Sequence, residues 1–379
     1  MDFVLDKKHE LARQLFRDFS ETEVKPLAIE LDETHDFPAE TVKKYKKYGF
    51  MGIPFAKELG GQGCDYLTYA IAVEEISKNC ASSGGLLSAH TSLGAGIIHD
   101  FGNDEQKEKF LRPLIDGRYL GAFAITEPEA GTDAGGVKTT AILDGDHFVM
   151  NGNKIFITNA GYADVFTIIA MTDVSKGQRG LSAIIVPRDT PGFSVGKPEM
   201  KCGIHASSTC ELVMEDAIVP KENLLGKENK GFVEAMHTLD GGRIGIAAQG
   251  LGIAEGALAR TIEYVKQRKQ FGRPLAKFQN TQFKIAEMIT QVQAAQLLVY
   301  RAAVAHDTVK RFSVEAAEAK LAATTAATQV ATECIQLMGG YGYMQDYEVE
   351  RMYRDAKITE IYEGTSEVMK MVISGAALA

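Results

Sequence analysis

The 379-residue chain contains no tryptophan and only five cysteines, Cys64, Cys80, Cys202, Cys210 and Cys334. None of the five sits in a CxxC pair, and an odd, scattered set excludes a disulfide framework or a thiolate metal cluster. It reads as the reduced thiols of a cytoplasmic protein. The eight histidines form no HExxH pair, so no metal site is expected. Long apolar runs are missing too, and a membrane span would need about 18 such residues. A net charge of −9 excludes a general nucleic-acid binder, which needs a basic footprint. The opening residues, MDFVLDKKHELARQLF, lack the apolar stretch of a secretory signal and are too acidic for a transit peptide. The GxSxG elbow and the GxxxxGK[ST] phosphate loop are absent, which takes hydrolases and nucleotide kinases away from their usual carriers. GLGIAEG, residues 250–256, approaches a dinucleotide fingerprint, but its spacing is GxGxxxG and helical text precedes it. That motif needs a strand before it, so helix packing explains these glycines better.

What is present falls into three textures, and the length favours two or three domains. Residues 1–118 read as helical. Leu11, Leu15 and Phe19 recur at intervals of four, PAETVKKYKKYGF stops at Gly49, and Pro113 is expected to bend or end the last helix. Residues 119–228 are β-rich. LGAFAIT, FVMNGNKIFITN, VFTIIAMT and LSAIIVP are short strands, and TCELVMEDAIVP is one more strand or a pair. Asp144-Gly145 and Asn151-Gly152 suit type I′ hairpin turns, so an antiparallel sheet is expected. Residues 229–379 return to long, Ala-rich helices. The predicted fold is α+β and multidomain: an N-terminal helical domain, a middle antiparallel β domain and a C-terminal four-helix bundle.

Two stretches invite chemistry. AFAITEPEAGTDAGG, residues 122–136, runs from a strand into a loop of small residues. It is either an ordinary strand exit or a place where backbone N–H groups approach a ligand. IYEGT, residues 361–365, puts Glu363 between apolar residues and a glycine. Periodicity alone makes Glu363 a solvated helix end; burial would make it a base with a raised pKa.

Six stretches carry a resemblance. TEPEAGTDAG, NGNKIFITN, LDGGRIGIAAQGLGIAEGAL, KQRKQFGRPLAKFQNTQF, QLMGGYGY and RDAKITEIYEGTSE occur in this order over nearly the whole chain. In this the chain resembles the acyl-CoA dehydrogenases, most of all the short-chain type exemplified by bacterial butyryl-CoA dehydrogenases. The resemblance implies FAD, an acyl-CoA substrate, electron-transfer flavoprotein as electron acceptor and a homotetramer. It makes Glu363 the base that removes the α-proton while the β-hydride passes to the flavin. It implies flavin contacts from Phe123, Ile125, Thr126, Thr132, Phe156, Thr158, Thr365 and Glu367. Phe156 stands where many relatives have tryptophan, so the ring is kept but the indole donor is lost. Arg268 resembles a pyrophosphate ligand reaching a neighbouring subunit's FAD, with Gln279, Gln336, Gly339 and Gly340 on the adenosine side. Thr132, Asp240, Arg243 and Gly364 are implied substrate contacts, Gly364 by freeing the backbone beside the base. Without the resemblance, Phe156 is a strand-core residue, Arg268 a solvated helix residue, and Asp240–Arg243 a surface ion pair. SAHTSLGAGII, residues 88–98, is either a wall of the acyl pocket or a packed helix. Branched-chain or dicarboxylic acyl-CoA dehydrogenation, or a silent flavin-binding protein, are the competing readings.

Overall fold

The computed structural model describes residues 4–379. The helical first third comprises α1 (Lys7–Phe19), α2 (Ala28–Thr34), α3 (Ala39–Tyr48), α4 (Tyr66–Ser77), α5 (Ala81–Ser88), α6 (Gly96–Phe101), α7 (Asp104–Gln106) and α8 (Arg112–Ile115). Side-chain caps start the main helices: Asp6 accepts from His9 N, and Asp65 accepts from Thr68 N at 2.8 Å. Every residue of α4 is buried, which makes it the axis of this region. In α1 the inward residues are Phe16 and Phe19, whereas Leu11 and Leu15 are 62% and 56% exposed. Of the residues spaced by four, only Phe19 reaches the core, where it packs on Tyr45 and Phe50, while Leu11 and Leu15 face outward. Pro113 does not end its helix. It occupies the first turn of α8, where its missing N–H is no loss, and a π turn over Lys107–Leu111 precedes it.

A sheet follows, from β1 (Gly121–Ala124), β2 (Thr140–Asp144), β3 (His147–Thr158), β4 (Val165–Met171), β5 (Leu181–Pro187), β6 (Phe193–Pro198), β7 (Thr209–Pro220) and β8 (Leu224–Leu225). Its order is β6-β7-β3-β2-β4-β5-β8, with β1 against β4. It is mostly antiparallel, but β1 and β2 both run parallel to β4. TCELVMEDAIVP is a single strand, β7. Asp144-Gly145 does turn the chain between β2 and β3, yet only Gly145 takes positive φ, so the I′ form, which needs two such residues, is not adopted. Asn151-Gly152 is no turn. It is a bulge inside β3, where Gly152 (φ +138) lies so close to Thr139 that a Cβ would come within 2.6 Å of its Oγ1. Asn151 is held there by Asp216, donating to its Oδ1 and accepting its backbone N–H.

The remaining chain is α9 (Gly231–Gln267), a β9–β10 ribbon (Lys269–Gln270, Arg273–Pro274), α10 (Gln279–Thr308), α11 (Ser313–Met338), α12 (Val349–Thr359) and α13 (Ser366–Leu378). The glycines of GLGIAEG let α9 cross α4: Cβ atoms on Gly252 and Gly256 would meet Glu74 O at 2.3 Å and Lys78 O at 2.2 Å. Buried residues of α4, α9, α10 and α11 share one core, so the first and last thirds of the chain pack as one body behind the sheet. Among the described residues no helix is long and apolar enough to cross a membrane.

Candidate active site

The site begins where α12 stops. Ile361 N and Tyr362 N both bond to Ile358 O, which unwinds the helix. The chain then turns through Glu363 at φ +55 and Gly364 at φ +104. Left-handed backbone is cheap for glycine but disfavoured for glutamate. Ser366 N closes the turn on Glu360 O, and Thr365 caps α13 by accepting from Val368 N. Ile361 ends up 49% exposed, while the Glu363 carboxylate points inward with its Oε2 buried and without a hydrogen-bond partner. The solvated helix end that periodicity suggests is not what forms.

Gly242 on α9 makes room for this carboxylate. A Cβ there would lie 2.2 Å from Glu363 Oε2 and 2.7 Å from a methyl of Leu93. Burial pushes the Glu363 carboxyl up to about 7, against the opposing pull of Lys320 and Arg243. Arg243 donates from Nε to Glu363 O at 3.3 Å and from Nη1 to Asp240 Oδ1 at 2.5 Å, and Ser313 Oγ donates to the other Asp240 oxygen. Asp240 and Arg243 are thus a buried pair under the turn, not a surface ion pair. We expect Gly242→Ala to cut kcat by roughly 10- to 100-fold while the fold survives, because an ångström of displacement at a reacting group costs that much. Steady-state kinetics and thermal denaturation check both halves.

A cleft opens beside Glu363, between α5, α9 and the end of β3. Ala81, Gly85, Ala89, Ile246, Gln249, Tyr362 and Thr158 line it. Tyr362 OH donates to Gln249 Oε1, and Gln249 Nε2 donates to Ala81 O at 2.8 Å. In SAHTSLGAGII, Ala89 and Leu93 face the site, whereas Gly94 packs on Gly121. The packed-helix reading holds for Gly94, and Ala89 lines the cleft beside Glu363.

The sheet supplies the opposite wall. A second irregularity in β3, between Lys154 and Ile157, sets Phe156 at φ +60 and leaves its ring 61% exposed. A strand-core phenylalanine would be buried. Thr158 follows at the cleft. Ile155 N donates to Thr126 O, which joins the TEPEAGT loop to the KIFITN stretch. Phe123 and Ile125 are buried along that seam, Thr126 is half-buried and Thr132 is exposed.

The other implied residues lie elsewhere. From Arg243 to Gln267 the helix runs about 36 Å at 1.5 Å per residue. Arg268, just beyond, stands 5.0 Å from the ring centroid of Tyr341. Gln279 and Gln336 are exposed, and Cβ atoms on Gly339 and Gly340 would meet only open space. Glu367 is exposed on α13. One chain therefore brings Glu363 and Thr158 together at a cleft beside Gly242 and Ile246 of α9, and places Arg268 beyond the far end of that helix, against Tyr341 of the QLMGGYGY stretch.

Three family models match the chain: the acyl-CoA dehydrogenase N-terminal domain over residues 6–118, the middle domain over 122–217 and the C-terminal domain over 229–378. The chain belongs to the acyl-CoA dehydrogenase family. It is 59% identical to a short-chain specific acyl-CoA dehydrogenase of Clostridium acetobutylicum, over 99% of each chain. It is 52% identical to an NADH-linked acryloyl-CoA reductase of Anaerotignum propionicum, over 99% of this chain and 95% of that one. Among solved structures, butyryl-CoA dehydrogenase of Megasphaera elsdenii superposes with TM-score 0.98 at 51% identity over all of both chains. A chain from work on the electron-transferring flavoprotein of Acidaminococcus fermentans and flavin-based electron bifurcation gives 0.98 at 50%, again over all of both. An acyl-CoA dehydrogenase of Bacillus anthracis complexed with FAD gives 0.92 at 36%, over 99% of this chain and 68% of that one.

Two residues of this acyl-CoA dehydrogenase site are missed by the motifs: Lys320 lies outside the six stretches, and Gln249 lies inside LDGGRIGIAAQGLGIAEGAL without standing out as a site residue. Lys320 is fully buried next to the Glu363 turn, and Gln249 anchors Tyr362. Gln249 is a lone polar residue in the apolar run IAAQGLG and Lys320 a cation in the Ala-rich EAKLAAT, and a buried side chain in either place must find partners.

Proposed function

We propose that this chain is a short-chain acyl-CoA dehydrogenase that converts butyryl-CoA to crotonyl-CoA, with Glu363 as the α-proton base. The supporting observation is the Glu363 carboxylate: buried, unpartnered at Oε2, raised to about 7, and facing a cleft shared with Thr158. A base of that pKa is matched to neutral pH. Among the described residues no acceptor takes the Glu363 backbone N–H. It is free to donate to a thioester oxygen as enolate-like charge develops there. Gly364 at φ +104 permits this double presentation.

The enzyme is a flavoprotein, and the residues present fit FAD. Phe156 offers an exposed aromatic face, Thr126 and Thr158 offer hydroxyls beside it, and Phe123 and Ile125 back the seam. Bound FAD supplies the hydride acceptor. Thr132, Thr365 and Glu367 complete the flavin side of the reading. Arg268, with a planar fork suited to pyrophosphate, and Gln279, Gln336, Gly339 and Gly340 serve the FAD of a neighbouring subunit. Their distance from Glu363 along α9 supports this, as does Phe271, 93% exposed at the tip of the β9–β10 ribbon. The assembly is a homotetramer. Asp240 and Arg243 act at the substrate from beneath the turn, and Thr132 from the sheet side. Electron-transfer flavoprotein takes the electrons onward, in keeping with the Acidaminococcus relative. The five free thiols support a cytoplasmic location.

Anaerobic addition of butyryl-CoA is expected to bleach the flavin absorbance faster than isobutyryl- or glutaryl-CoA does. A faster branched or dicarboxylic substrate moves the enzyme to another branch of the family. No bleaching with any of them leaves a silent flavin-binding protein. The acryloyl-CoA reductase relative favours a second, three-carbon reading, and a higher rate with propionyl-CoA than with butyryl-CoA would select it.

A further inference from the structure

We propose that Lys320 is a positioning residue that holds the Glu363 turn in its reactive conformation. The inference rests on the reading of Glu363 as the base. Lys320 lies on α11, wholly buried, among the buried Ala316, Ala317, Ala319 and Ala323. An ammonium in such surroundings must replace its lost water with protein acceptors. It has two. Nζ donates to Thr359 O, the last residue of α12, at 2.9 Å, and to Gly364 O, the residue after the base, at 2.8 Å.

One cation therefore ties together the two ends of the segment that carries Glu363. Between those carbonyls the backbone takes Glu363 through φ +55, which persists only when its surroundings over-determine it. Arg243 Nε on Glu363 O adds a hold from α9. Without Lys320, Thr359 O and Gly364 O lose this donor, and the turn is free to relax toward ordinary φ values. The carboxylate would then swing off Gly242.

Lys320 also acts on the carboxylate by charge. The charged and titratable groups facing Glu363 are Lys320 from α11, Arg243 from α9, Tyr66 and Tyr69 from α4 and Tyr362 beside it. Burial lowers the Lys320 ammonium to about 8, and the nearby Glu363 opposes that shift. Loss of this cation leaves the base harder to ionise. A purely structural lysine would not have that consequence.

The test compares Lys320→Met and Lys320→Arg with wild type and Glu363→Gln, as holoenzyme with butyryl-CoA across neutral pH. Lys320→Met is expected to keep native circular dichroism and flavin content, with kcat lower by about 100-fold and KM little changed. Its acid limb should move to higher pH. Lys320→Arg keeps charge and donors and should retain most of the rate. A Lys320→Met enzyme within about threefold of wild-type kcat, with an unmoved acid limb, overturns the inference. So does failure of both variants to fold, since the lysine then serves the fold itself. If wild type does not turn over butyryl-CoA, or Glu363→Gln does, the reading of the base fails first. If both controls behave, a negative result concerns Lys320 alone.

Discussion

Glu363→Gln should lower kcat for butyryl-CoA by about 1,000- to 10,000-fold, the upper range for loss of a positioned general base. The carboxamide matches the carboxylate in size and can fill the space above Gly242, but it cannot take up the α-proton. Flavin content, fold and KM should change little, because the side chain bonds no protein group through Oε2. Rapid-mixing measurement of flavin bleaching isolates the step, and a loss below about tenfold would move the base elsewhere. In the wild type, kcat/KM should rise through about pH 7 as the free-enzyme carboxyl ionises.

The same substitution should stabilise the protein. The carboxyl stands at about 7 in the folded chain against its ordinary 4.5. Between these values the folded state holds a proton that the unfolded state has released. Stability therefore falls as pH rises through that interval, and the full penalty, up to about 3 kcal/mol, is present above pH 7. Glu363→Gln has no such group to ionise. Its thermal midpoint should exceed that of wild type at pH 8, with the advantage gone near pH 4.5. The Glu363 carboxyl is thus held at a cost in stability, the sign expected of the proposed base.

How much of this is legible in the sequence depends on the range of the interactions involved. Turn and cap chemistry is local, so Gly49 ending α3 and Asp144-Gly145 joining β2 to β3 can be read directly. Asn151-Gly152 has the same local chemistry and a different outcome. Asp216, far along the chain, is what converts it into a bulge. The position of Glu363 is legible only through the order of motifs. Its burial depends on the gap left by Gly242 on another helix, and periodicity points the wrong way, as it does for Leu11 and Leu15. Lys320 is visible as an oddity among alanines, but its two acceptors lie in a turn that no short window contains. Phe156 shows the same limit: its exposure follows from a register shift against β7, which strand periodicity does not encode.

Lys154→Met should have the largest effect on stability, a loss of about 3–5 kcal/mol, because it removes one partner of a buried ion pair. Lys154 is fully buried in β3, and its Nζ donates to Ile125 O at 3.0 Å and Glu127 Oε1 at 2.8 Å. Burial lowers the ammonium to about 8, and Glu127 opposes the shift. Burial pushes the Glu127 carboxyl up, yet Lys154 and the donors from Thr139 and Lys138 hold it below the usual range. Glu127 also accepts from Lys138 N at 2.7 Å and Thr139 N at 3.0 Å, so this one carboxylate folds the TEPEAGT loop back onto the sheet. Methionine fills the volume but strands a buried charge and the Ile125 carbonyl. The loop bearing Thr126 and Thr132 should loosen, and flavin should dissociate more readily. Denaturant unfolding of the single variants and of Lys154→Met with Glu127→Gln completes a double-mutant cycle. The double variant should recover much of the loss, since a buried pair replaced as a unit leaves no orphaned charge. A loss under about 1 kcal/mol for Lys154→Met alone would mean that the two backbone N–H groups suffice to hold Glu127 ionised. The bulge that presents Phe156 would then be set by the β3–β7 register, not by the ion pair.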